Sequence, residues 1–113
     1  MVGLKYYKTK GGRTAYRQTA RLAKTAKQVE RHIKGVSNHH RISILLIIAS
    51  NPGISIEQVI RMVGGNYKTQ TEHIRRLTLA GLVNKKYRGH QVCLTLSPYG
   101  KTFHTFIITF SNS

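Results

Sequence analysis

The stretch from Ile54 to Gly100 constrains this chain more than any other, because its start and stop signals leave little freedom in the order of elements. Asn51-Pro52-Gly53 ends whatever precedes it, and Ile54 predicts a very short strand. Ser55 caps a helix over Ile56–Val63, with Glu57 in the first turn and Val59, Ile60 and Val63 as its buried face. Gly64-Gly65-Asn66 forms a turn, and Asn66 caps a second helix from Tyr67 to Ala80 with Ile74 and Leu77 inward and Gly81 as its stop. Leu82 to Tyr87 and Gln91 to Leu96 then read as two strands around an Arg88-Gly89-His90 tip, with Val92, Leu94 and Leu96 alternating inward and Cys93 turned partly outward. Ser97-Pro98 opens a last helix, Tyr99–Phe110, with Tyr99, Phe103, Phe106, Ile107 and Phe110 on one face.

Upstream, the pattern is helical from Thr14 to Lys34, and Leu22, Ala26, Val29 and Ile33 make one apolar stripe that Gly35 brings to an end. Ser37 or Asn38 caps a helix over His39–Ser50 that is apolar almost all round and so belongs at the centre of the core. Met1 to Arg13, polar and basic with Gly11-Gly12 inside it, reads as a flexible arm. The expected class is α+β, mostly α: an arm over 1–13 and a single domain over 14–113.

Charge narrows the partner. The 113 residues carry a net charge of +16, with 19 Lys and Arg against three Glu and no Asp. Residues 1–34 hold ten cations against Glu30, residues 35–66 are nearly neutral, and residues 67–91 hold six cations against Glu72. A surface built only for solubility mixes the signs more evenly, so a polyanion is the expected partner. So few carboxylates argue against acid-base hydrolysis and magnesium-dependent phosphoryl transfer, and the expectation is a non-enzyme without a cofactor. The single Cys93 allows no internal disulfide and fits a reducing cytoplasm. The longest apolar run, Ile42–Ala49, is far short of a membrane span, and no signal peptide is evident. Of the six His, His39 and His40 are adjacent and face apart on a helix, so no metal site is expected.

Three pieces carry a family resemblance: His40-Arg41-Ile42-Ser43-Ile44-Leu45-Leu46, then Glu72-His73-Ile74-Arg75-Arg76-Leu77 with Ala80-Gly81-Leu82-Val83, then Leu94-Thr95-Leu96-Ser97-Pro98-Tyr99-Gly100. In that order and spacing, His40 to Phe103 resembles the winged helix-turn-helix transcriptional regulators of the ArsR and MarR type. The Cys-x-Cys of the metal-sensing ArsR branch is absent, and Gln70 stands where the family carries an apolar residue. The resemblance implies double-stranded DNA as partner, a homodimer, and a cytoplasmic, nucleoid-associated protein; it names no effector.

On that reading, Tyr67, Lys68, Thr69, Thr71, Glu72, Arg75 and Arg76 form the DNA-facing side of a recognition helix. Lys and Arg there meet phosphates, Arg pairs with guanine, and Glu72 either accepts from a cytosine amine or orients Arg75 and Arg76. Lys85, Lys86, Arg88 and His90 form the wing, at the minor groove or its phosphates. Lys5, Lys8, Lys10, Arg13 and Arg17 are the arm's DNA contacts. Leu22, Val29, Ile33, Phe103, Phe106, Ile107 and Phe110 are the expected dimer interface. Two rivals stay open: a nonspecific architectural or replication-associated DNA coater, which the charge of the first 34 residues favours, and a basic RNA-binding protein, against which the lack of an aromatic stacking platform counts.

Overall fold

The computed structural model describes residues 4–8, 14–18 and 23–113. Two strands come first, β1 (Leu4–Lys8) and β2 (Thr14–Gln18), paired antiparallel with Tyr6 opposite Tyr16. This corrects two expectations: Leu4–Lys8 is a strand rather than a flexible arm, and the helix predicted from Thr14 opens only at Ala26. The physical signal lies in the composition, since two runs holding Tyr6-Tyr7 and Thr14-Ala15-Tyr16 flank Gly11-Gly12, which is hairpin chemistry.

Helix α1 (Ala26–Val36) starts with a reciprocal cap, in which Thr25 Oγ1 accepts from Gln28 N and Gln28 Oε1 accepts from Thr25 N. Its buried residues are His32 and Val36, while Ile33 is 48% exposed. The inward face is therefore one step round from the predicted stripe. Gly35 does not end the helix. It lies within the last turn, where a Cβ would overlap the Cβ of Ala80, so only glycine allows α1 to pack this closely on the next helix pair.

Asn38 caps α2 (His39–Ser50) by accepting from His40 N and Arg41 N. Ile44, Leu45 and Ile48 of α2 are fully buried at the centre of the core. β3 (Ile54–Ser55) leads into α3 (Ile56–Val63), and Ser55 and Gln58 form a second capping box. α4 (Tyr67–Leu79) follows, capped by Asn66, whose Oδ1 accepts from Thr69 N. β4 (Val83–Arg88) and β5 (Gln91–Leu96) form a hairpin in which Arg88 faces Gln91 across a two-residue Gly89-His90 turn. Gly89 takes φ +59°, the left-handed value this tight turn requires. The sheet order is β3-β5-β4, all antiparallel, and α5 (Pro98–Ser111) closes the domain.

Val59, Ile74, Leu77, Leu82, Val83 and Leu94 complete the core around α2. Cys93 joins it. The expected outward turn is corrected, because β5 is the central strand and Cys93 is flanked by Ser55 of β3 and Lys86 of β4.

Candidate nucleic-acid interface

Helix α4 is capped at both ends. At its start the Asn66 cap fixes the first turn. At its end Gly81 (φ +76°) lets the chain reverse, with Leu82 N donating to Leu77 O and Gly81 N to Thr78 O, the paired bonds of a Schellman stop. Two further side chains hold the same end. Buried His32 of α1 donates from Nδ1 to Ala80 O at 2.5 Å. Ser97 Oγ donates to Gly81 O at 2.5 Å and accepts from Gly100 N, so its hydroxyl serves α4 and α5 together. Gly100 has the same reason as Gly35: a Cβ there would overlap Leu82 O.

With Ile74, Leu77 and Gln70 buried beneath it, α4 turns Tyr67, Lys68, Thr69, Arg75, Arg76 and Leu79 to solvent. Glu72 and Thr71 are half-buried, and Thr71 Oγ1 donates back to Tyr67 O, so it stiffens the first turn rather than standing free. Glu72 holds both arginines. Arg75 donates to it at 2.6 and 2.8 Å, and Arg76 at 3.1 Å. These hydrogen bonds, Arg75 first and then Arg76, lower the Glu72 carboxyl to about 2 and raise the Arg75 guanidinium.

The hairpin brings Lys85, Lys86, Arg88 and His90, all exposed, onto one projecting ribbon, with Tyr87 exposed among them. Of the predicted arm contacts, Lys5 and Lys8 lie on β1 and Arg17 on β2, with Lys5 opposite Arg17 in the register. Lys10 and Arg13 lie outside the described residues.

The predicted dimer residues divide. Ile33, Phe103, Phe106 and Ile107 line one apolar groove with Val36 and Ile42. Phe110 stands 69% exposed with its ring 5.6 Å from that of Phe106, beyond the groove. Val29 is half-buried, outside the groove lining, and Leu22 lies outside the described residues.

Sequence reasoning missed a cationic and imidazole cluster that joins α2 to α4. Arg41 lies 3.4 Å from His73 Nδ1, and the ring of His40 stacks on His73 at 5.4 Å. Burial lowers the His73 pKa first, and the charge of Arg41 and then of His40 adds to it. No group of three potential metal-ligating side chains occurs among the described residues, and no described helix is long and apolar enough to cross a membrane.

Similar architectures occur among solved structures. HlyU from Vibrio cholerae N16961 superposes with a TM-score of 0.71 at 20% identity, covering 81% of this chain and 100% of that one. The homodimeric winged helix-turn-helix DNA-binding domain of a possible ArsR-family transcriptional regulator from Mycobacterium bovis gives a TM-score of 0.69 at 18% identity, covering 81% of this chain and 91% of that one.

The fold is a winged helix.

In that frame α3 and α4 occupy the positions of the helix-turn-helix pair, α4 that of its second helix, and the β4–β5 hairpin that of the wing. In sequence the chain is 22% identical over 95 residues to the HTH-type transcriptional regulator YgaV of Escherichia coli (strain K12), a match that spans 84% of this chain and 94% of that protein. No protein-family model matches the sequence.

Proposed function

We propose that this protein is a sequence-specific double-stranded DNA-binding transcriptional regulator that acts as a homodimer, without catalysis or cofactor. The observation that carries the reading is the recognition helix: a rigidly capped α4 presents Lys68, Thr69, Arg75 and Arg76 to solvent, next to a wing bearing three Lys and Arg, with Glu72 as the one acid across both elements. Its side chains match what a major groove offers, with Arg for guanine and Lys for phosphate. The apolar groove between α1, α2 and α5, with Phe106 59% exposed at its edge, is the surface this reading assigns to the second copy. Two recognition helices then meet successive major grooves, about 34–36 Å apart, on a pseudo-palindromic site. The names of YgaV and of the Mycobacterium bovis domain agree with this reading.

Selection of bound sequences from a random duplex pool tests it. A two-fold related motif with half-sites one helical turn apart is the expected result. A pool that never converges would favour the second reading, a nonspecific DNA coater, for which the ten cations of residues 1–34 speak.

A further inference from the structure

We infer that a hollow walled by α1, α2 and α4 is an anion site that takes a phosphate-type oxyanion. It has a volume of about 240 Å³ and lies against the C-terminal half of α4, where Gly35 packs on Ala80. Arg31, Lys34, Arg41 and Arg76 line it, and no carboxylate does. Four cations around one small hollow repel one another, and the chain has few acids with which to relieve them. Glu30 stands 3.7 Å from Lys34, and Glu72 3.1 Å from Arg76. Arg31 and Arg41 have no carboxylate partner among the described residues.

Arg41 is the deciding group. Its Nε–H is buried without a hydrogen-bond partner, while the other end of its guanidinium approaches His73 Nδ1. A buried charged donor without an acceptor is costly, and negative charge placed in the hollow that Arg41 lines offsets that cost without having to reach the Nε–H itself. The occupant must supply several acceptor oxygens and negative charge to two uncompensated guanidiniums, which is what a tetrahedral phosphate offers. Leu79 and Ala80 supply the apolar part of the wall beside the four cations. The phosphate group belongs either to the backbone of bound DNA or to a free phosphorylated small molecule. The first source rests on the proposed function; the second does not.

The test is a titration of the full chain with inorganic phosphate at constant ionic strength, followed by proton–nitrogen spectra that include the arginine Nε–H resonances. Saturable shifts at Arg41 Nε and at the amides of Gly35 and Ala80 are expected. R41Q should weaken the binding at least about tenfold, the loss of a charge-assisted bond. R31Q/K34Q changes only exposed side chains and gives the same readout should R41Q fold poorly. Shifts spread over every basic surface without saturation, or affinities unchanged in the folded variants, would overturn the site. A short duplex identifies the source. Arg41 shifts that appear with duplex and are competed by phosphate assign it to DNA backbone. Duplex shifts confined to α4 and the wing, with phosphate still reaching Arg41, assign it to a small phosphorylated ligand. A chain that binds phosphate at Arg41 but no duplex would sink the proposed function and leave this site standing.

Discussion

Glu72 sets the resting position of both arginines on the outward face of α4. An arginine that meets DNA must first leave that carboxylate, so a phosphate anywhere along the duplex competes with Glu72 before it is engaged. E72Q should therefore raise affinity for random duplex and narrow the ratio between selected and random sequences, as measured by competition binding. An unchanged affinity for random duplex, with preference lost at a single base position, would show Glu72 to be a base-reading residue instead. R75A and R76A leave the core untouched and should keep stability within about ±0.5 kcal/mol. If either arginine pairs with a guanine, its removal should cost about 1–3 kcal/mol at one base position only, read from a panel of single-base variants. Two groups give stability a pH dependence. The Glu72 carboxyl falls from 4.5 to about 2 on folding, so its contribution is complete above 4.5 and lost as pH drops towards 2. The imidazole of His73 is likewise lowered from 6.5, so the unfolded chain takes up its proton first and stability declines as pH falls below 6.5. His73→Gln should flatten the melting temperature in that range, and an unchanged slope would assign it to another histidine.

At the scale of elements, the winged-helix portion is legible in the sequence because its punctuation is local. Ser55, Asn66, Gly81 and Ser97-Pro98 each state a boundary within a residue or two of where it falls. The outward face of α4 is legible for the same reason, since Ile74 and Leu77 fix its phase. Helix α1 misleads because two stripes share Val29. One runs through Ala26 and Ile33 and is aliphatic; the other runs through His32 and Val36, and it is the buried one. No periodicity argument prefers a histidine over an isoleucine for the core. The reason it is buried lies 48 residues away, in the Ala80 carbonyl it serves. Arg41 is hidden in the same manner, because its partner His73 is 32 residues distant. Gly35→Ala tests the α1–α4 approach. The added methyl meets Ala80, and such overpacking should cost about 1–3 kcal/mol in chemical denaturation. A neutral result would mean that α1 can shift at no cost.

For the whole molecule, net charge of +16 and an apolar groove make opposite demands on a second copy. Repulsion disfavours association at low ionic strength, while burial of Phe106 and its neighbours favours it at any. Phe106→Glu alters a residue that is already 59% exposed and should yield a folded monomer by sedimentation, with weaker binding to a two-half-site duplex. A dimer that survives would move the interface elsewhere. Salt acts on DNA binding in one direction only. With six phosphates engaged, affinity should fall about 10³-fold between 50 and 200 mM salt, measured by titration.

The two bonds that His32 and Ser97 make to the carbonyls at the end of α4 anchor that end to α1 and to the start of α5. The 13 residues of α4 place Tyr67 about 20 Å from the anchored end, so a tilt of a few degrees there sweeps the tip through about 1–2 Å. His32 belongs to α1 and Ser97 leads into α5, both of which wall the apolar groove. On the proposed reading, a shift of α1 against α5 that reached these two bonds would displace the far end of α4 more than the near one.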